Sequence, residues 1–334
     1  MNDVRGECRT HGSLGAVHMS LGNYTSAIKC YEEMLERAKD LKDDVTEAQA
    51  YGNLGIARIN MGSFEEAASF FESQIAVLET VLGSANPNRG STVGRQGKIS
   101  SALLIEKGRA YSNLGCCYSA LNSHEETIKC IDRALRIFIK FQNYGEQEKL
   151  YNLMGASYKQ LGNHQQAIEM FEKRLHIVIN KLQQEENTEE QGYQQMLKSK
   201  EGSIYGDIGE QHLELLQFDE AIHCFEQQLN FGKKMQDKFQ EALAFASMGK
   251  CYQAMGDTSQ ALQYYEMDLK ISQDLRSVEG RARACNNVGL LQESLGNFEQ
   301  ALVYQEHHLN AATQLDDPIG KTISFGSIGR SCVK

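Results

Sequence analysis

The sequence predicts an all-α fold, a right-handed α-solenoid of about seven and a half helix-turn-helix hairpins. Three observations carry it: a glycine that returns every 40 residues, a small residue 12 positions later, and a large residue 4 beyond that. The glycine series is Gly15, Gly55, Gly115, Gly155, Gly209, Gly249, Gly289 and Gly329, and two insertions of 20 and 14 residues account for both departures from the period. A repeat of this length means stacked supersecondary units rather than compact domains.

Within a unit the first helix carries the glycine. The second carries the small residue, which is Ala27, Ala67, Thr127, Ala167, Ala221, Ala261 or Ala301, and then Tyr31, Phe71, Ile131, Phe171, Phe225 or Tyr265, with Gln305 the exception. The offset of 4 stays on one face of the second helix and the offset of 12 carries from one helix to the next, so the small pair permits close approach and the large side chain fills the space behind it. Between the helices stand turns such as Leu21-Gly22-Asn23, Met61-Gly62-Ser63 and Leu295-Gly296-Asn297. Glycine suits the left-handed residue that ends one helix, and Asn, Ser or Asp suits the N-cap of the next. Ser63 with Glu66, Ser123 with Glu126 and Asn163 with Gln166 are expected to form capping boxes or close relatives of them.

The chain has 334 residues with 34 basic and 44 acidic, a formal net charge of -10, the wrong sign for binding nucleic acid or anionic lipid as a main task. Neither nucleic acid nor membrane is expected as a partner. Nine cysteines occur without a Cys-x-x-Cys pair or zinc spacing, which points to a reducing, cytoplasmic setting rather than a disulfide framework. The Met-Asn-Asp-Val-Arg-Gly start has no signal-peptide pattern, and no stretch approaches the roughly 20 apolar residues of a membrane span.

The repeating pattern, with Asn113-Leu114-Gly115-x-x-Tyr118 in the first helix and Ala167-x-x-x-Phe171 in the second, resembles the tetratricopeptide repeat over essentially the whole chain. The 40-residue unit is longer than the usual one of about 34, and the terminal proline is missing. Forty-residue units rich in Asn-Leu-Gly and Leu-Gly-Asn are similar to the G-protein-signalling modulator family and, from Cys8-Arg9-Thr10-His11-Gly12 to Asn53-Leu54-Gly55, most of all to the tetratricopeptide repeat protein 28 family. That second resemblance implies a role in cytoskeletal or spindle assembly during cell division, at the centrosome, spindle or midbody.

The expected organisation is two repeats in 1–81, a basic Gly/Ser loop insertion in 82–106, repeats three and four in 107–182, an acidic insertion in 183–199, and repeats five to seven with a partial eighth in 200–334. The acidic insertion is expected to be a solvated helix extension. With no polar capping helix at either end, the sequence reads as a segment of a longer protein or an isoform truncated within its array.

No glycine-rich phosphate loop, His-Glu-x-x-His helix or Gly-x-Ser-x-Gly turn occurs, so no catalytic residue, metal ligand or cofactor is assigned and the protein is read as a non-enzyme. His307 and His308 are expected at the surface on different sides of their helix. Cys116 and Cys117 are expected to be packed thiols acting as small apolar groups.

By the tetratricopeptide resemblance, first-helix residues two and six before the repeating glycine line the concave groove. On that basis Arg9, Asn53, Arg109, Asn113, Lys149, Arg283 and Asn287 are the candidate peptide-binding residues. The asparagines offer both donor and acceptor to an extended backbone, and the basic residues suit an acidic peptide or helix. Three before the glycine, where chaperone-binding members place a clamp lysine, stand Gly12, Gly52, Ser112, Asn152, Gly206, Ala246, Asn286 and Gly326, which argues against a chaperone carboxylate clamp. The function expected is a protein-interaction scaffold. The rival readings are a cargo adaptor resembling kinesin light chain and a response-regulator phosphatase on a similar scaffold.

Overall fold

The computed structural model describes residues 4–84, 93–185 and 191–333, and among them forms fifteen α-helices without a strand. The chain divides into two units, 1–163 and 164–334. The first holds α1 (Val4–Ser20), α2 (Tyr24–Asp40), α3 (Asp44–Asn60), α4 (Phe64–Ser84), α5 (Val93–Ala120), α6 (His124–Lys140) and α7 (Tyr144–Gln160). The second holds α8 (His164–Glu185), α9 (Gln191–Glu214), α10 (Phe218–Met235), α11 (Lys238–Met255), α12 (Thr258–Asp274), α13 (Val278–Ser294), α14 (Phe298–Gln314) and α15 (Pro318–Val333). Within each unit every helix packs on the next, and weaker contacts join alternate helices such as α3 with α5 and α11 with α13. This is the stacking of an α-solenoid.

The repeat register is that read from the glycines. All seven small residues, from Ala27 to Ala301 with Thr127 among them, have no solvent exposure. The large residue four positions on lies over the glycine of its own hairpin. A Cβ on Gly15 would stand 2.4 Å from the Tyr31 ring, one on Gly55 2.6 Å from Phe71, one on Gly209 2.7 Å from Phe225 and one on Gly249 2.5 Å from Tyr265. No side chain fits there, and burial of each aromatic contributes roughly 1.5–3 kcal/mol.

The turns explain where the helices stop. Gly22, Gly62, Gly162, Gly256 and Gly296 take φ between 72° and 85°, the left-handed conformation expected of them. Turns joining one hairpin to the next use the same conformation at Lys42, Gln142, Gln236, Arg276 and Asp316, without glycine.

The caps depart from expectation. Asn23, Ser123 and Asn297, at ψ of 63°, 69° and 62°, accept no cap bond from their side chains. Glu126, the expected partner of Ser123, instead receives Lys129 at 2.7 Å. Side-chain caps do form at Asp43, Asn143, Asp237 and Asp257, where ψ lies between 78° and 87°. The larger ψ brings the side-chain oxygen onto the N–H two or three residues ahead, which the tighter turns do not achieve.

Helix α5 begins at Val93, so the last fourteen residues of the 82–106 stretch expected as a loop are helical, while 85–92 fall outside the described residues. Part of the cause is tertiary: Leu103, within this stretch, shares an apolar cluster with Leu78, Val81 and Leu82 of α4, and α4 itself continues to Ser84. Of the acidic insertion, α8 takes up residues to Glu185 and α9 resumes at Gln191, and 186–190 fall outside the described residues.

Candidate peptide-binding groove

In the first unit the alternate helices α1, α3, α5 and α7 are the first helices of their repeats, and the position six before the glycine carries Arg9, Gln49, Arg109 and Lys149. All four are exposed. The 40-residue period puts them at one height on successive helices, making a row of three cations and an amide.

At the α1 end the row meets a cavity of about 770 Å³. Arg9 and Ser13 on α1 and Gln49 and Asn53 on α3 line it, and Met34 of α2 closes its base. Gly12 leaves room for that base, because a Cβ there would lie 3.1 Å from the Met34 sulfur. Asp43 caps α3 on the same wall, receiving the Thr46 N–H at 3.2 Å and its hydroxyl at 2.9 Å. That carboxylate is therefore already hydrogen-bonded, whereas Arg9 makes no ion pair among the described residues.

Further along, Lys107 and Arg109 have different fates. Lys107 is tied to Glu79 of α4 at 2.8 Å, and the Tyr111 hydroxyl donates to the same carboxylate at 3.1 Å. Those bonds hold the Glu79 carboxyl below its ordinary range. Arg109 points elsewhere, with the half-buried Glu106 nearby; burial pushes that carboxyl up, against a hydrogen bond with Gln74 and the Arg109 charge. Lys149 donates to Glu146 at 3.0 Å with 73% of its own side chain exposed, a pair worth only a few tenths of a kcal/mol. Asn113, like Asn53, is half-buried beside this row.

The second unit holds the other two candidate residues and is built differently. Arg283 of α13 is engaged by Asp268 of α12, with Nη2 donating at 2.6 Å and Nε at 3.2 Å, and Asp268 is fully buried and also receives the Ser272 hydroxyl at 3.1 Å. Asn287 is half-buried, and its Nδ2, like the Asn286 Oδ1, is buried without a hydrogen-bond partner. The equivalents of the basic row here are Ser203, Leu243, Arg283 and Ile323. Unit composition follows the same division: 18 basic and 19 acidic residues in 1–163, formal charge -1, against 16 and 25 in 164–334, formal charge -9.

Other chemistry-bearing groups are differently placed than expected. His308 is buried and bonded through Nδ1 to the Ser324 hydroxyl at 2.8 Å, while His307 is exposed. Cys117 is packed as expected, its thiol pushed up to about 12 by burial, but its neighbour Cys116 is exposed. A thiol at that value has almost no thiolate at neutral pH. Among the described residues no helix is long and apolar enough to cross a membrane.

Stacked hairpins with a glycine–aromatic seam and a side-chain-lined cavity on their first-helix side define a protein-interaction scaffold of the α-solenoid class. Family models described as the tetratricopeptide repeat match residues 6–80 and 106–178, 244–279, and 282–313. The chain belongs to the tetratricopeptide repeat family.

Solved structures agree on the fold. The apo form of RapI aligns with a TM-score of 0.58 at 13% identity, covering 95% of this chain and 79% of that one. The C-terminal part of a repeat protein from Cytophaga hutchinsonii gives 0.55 at 11% identity, covering 90% and 94%, and a tetratricopeptide repeat protein from Parabacteroides merdae gives 0.54 at 14%, covering 98% and 99%. No curated protein sequence matches the chain. These likenesses establish the repeat fold and do not extend to the protein 28 or signalling-modulator families.

Proposed function

We propose that the protein is a non-enzymatic scaffold whose first unit holds an acidic peptide or helical segment of a partner protein along α1, α3, α5 and α7. The observation that carries this reading is the exposed row Arg9, Gln49, Arg109 and Lys149, in a unit of near-zero charge within an acidic chain. Arg9 and Arg109 lack ion-pair partners among the described residues, and Lys149 has only an exposed one to exchange. Asn53 and Asn113 would bond the partner's backbone, as extended peptides require. The Arg283–Asp268 pair engages that arginine in the second unit's own packing, which supports assigning the groove's acidic partner to the first unit. The resemblance of the 40-residue Asn-Leu-Gly units to the tetratricopeptide repeat protein 28 family implies a role in spindle-associated or cytoskeletal assembly during cell division.

The test is affinity purification from dividing and from interphase cells with three baits: wild type, Arg109→Glu with Lys149→Glu, and the control Lys29→Glu with Lys129→Glu on the second helices. The expected result is an acidic partner, enriched from dividing cells, that is recovered by wild type and control and lost by the groove variant. Equal recovery by all three correctly folded baits would overturn the basic groove, and a partner unchanged through the cell cycle would overturn the division role alone.

A further inference from the structure

Arg281 and Arg283 stand two residues apart on α13, so at 100° per residue they leave the helix in nearly opposite directions. Arg283 meets Asp268. Arg281 enters a cavity of about 560 Å³ between the second helices α12 and α14, with α13 as its floor. Its Nε is buried and has no hydrogen-bond partner, and among the described residues it makes no ion pair. Arg281 as a whole is half-buried, but a buried Nε–H given no acceptor is costly, unless an anion completes it.

The rest of the wall narrows the ligand's chemistry. Leu269 of α12 and Val303 and Tyr304 of α14 supply an apolar surface, and Val303 is 52% exposed there. Gln273 and Asn310 add neutral donors and acceptors from opposite sides. The volume falls within the range of small-ligand sites, roughly 300–1,000 Å³. Arg281 is the permanently charged group of this wall, which the exposed His307 imidazole also lines; in a unit of formal charge -9, with Glu266 acting on Tyr304, that suits one negative charge and disfavours a phosphate dianion.

We propose that this second-helix cleft binds an amphipathic monocarboxylate, its carboxylate on Arg281 and its apolar body against Leu269, Val303 and Tyr304. Either the C-terminal apolar residue of a peptide or a free aliphatic acid presents that chemistry. The site is separate from the first-unit groove and stands or falls independently of it.

The probes are N-acetyl-leucine and N-acetyl-leucinamide, which differ only in the charge. Added to the isotope-labelled full chain, the acid is expected to shift the Arg281 Nε–H resonance and bind with a Kd on the order of a few millimolar. The amide should bind at least about tenfold more weakly. Arg281→Gln should bring the acid down to the level of the amide, Val303→Glu should abolish binding of both, and Lys29→Glu, on the exposed face of α2, should leave both unchanged. A peptide of four alanines and a terminal leucine assigns the source: tighter binding than N-acetyl-leucine means a partner's C-terminus, weaker binding a free acid. Equal affinity for acid and amide, undiminished binding by Arg281→Gln, or, should that variant not fold, undiminished binding by Val303→Glu overturns the proposal. So does the absence of any shift with the wild-type chain.

Discussion

Gly249 lies under the Tyr265 ring so closely that a Cβ on the glycine would stand 2.5 Å from two ring carbons. The ring cannot yield, because it is 1% exposed and its hydroxyl donates to Gln253 at 2.7 Å. Gly249→Ala should therefore destabilise the α11–α12 hairpin by about 1–3 kcal/mol despite alanine's better helix propensity. Gly329→Ala, inside α15 with nothing within 4 Å of the new methyl among the described residues, should instead stabilise by roughly 0.5–1 kcal/mol. Thermal melting of both variants checks the pair, and equal shifts would refute the steric account of the seam.

Gln305 fills the aromatic slot of its hairpin, over Gly289, fully buried and with neither amide atom hydrogen-bonded. An unsatisfied buried amide costs about 1–3 kcal/mol. Gln305→Met keeps the length and flexibility of the side chain while removing the polar atoms, so it should raise stability by about that amount. Denaturant titration gives the change directly, and a destabilised variant would mean the amide has a partner in solution.

Arg283 and Asp268 should be strongly coupled. Removing the acid alone, as in Asp268→Ala, leaves the guanidinium without its partner, and breaking a buried pair costs about 3–5 kcal/mol. The arginine side chain is 23% exposed, so the lower end of that range is expected. Arg283→Met combined with Asp268→Leu should recover most of the loss, giving a large coupling energy in a double-mutant cycle. Hydrogen exchange at the α12 and α13 amides localises the effect.

How far these features were legible depends on their range in sequence. Gly249, Ala261 and Tyr265 belong to one hairpin and recur at fixed offsets, so the seam is periodic and legible in the sequence alone. The groove positions were readable as positions too. Whether a charge there is free was not, because it depends on a neighbour in another helix. Arg283 and Arg9 occupy the same place in their repeats, yet only Arg283 has an Asp268 across from it. The helix over 93–106 was hidden for a similar reason, since Leu103 meets its partner Leu78 in another helix, α4. The caps turn on a ψ difference of some ten to twenty degrees, and Asn or Ser in a turn does not encode it.

A left-handed residue without glycine offers a further stability test. Leu216 takes φ 58° in the turn between α9 and α10, with 68% of its surface exposed. For a branched side chain this conformation costs about 1–2 kcal/mol, and the exposed leucine loses little packing on truncation. Part of the gain is offset by glycine's larger unfolded-state entropy. Leu216→Gly should therefore stabilise by about 0.5–1 kcal/mol in thermal melts, whereas Gly256→Leu, at φ 85°, should destabilise by more.

His308 predicts how the chain responds to acid. It is 6% exposed between α14 and α15 with its Nδ1 on the Ser324 hydroxyl, and burial lowers its pKa below the ordinary histidine value, against a smaller opposing effect of the Asp317 charge. A lowered folded-state pKa means that the unfolded chain takes up the proton first. Stability from the neutral ring is therefore present above the unfolded value of about 6.5 and is lost as the pH falls below it. The α14–α15 contact should loosen between neutral pH and about pH 5, seen as faster hydrogen exchange in α15. His308→Asn retains a polar group near Ser324 without a proton to gain in this range. In that variant the difference between the two pH values should disappear, even if overall stability is lower; an undiminished acid response would assign the effect to carboxylates such as Asp317 instead.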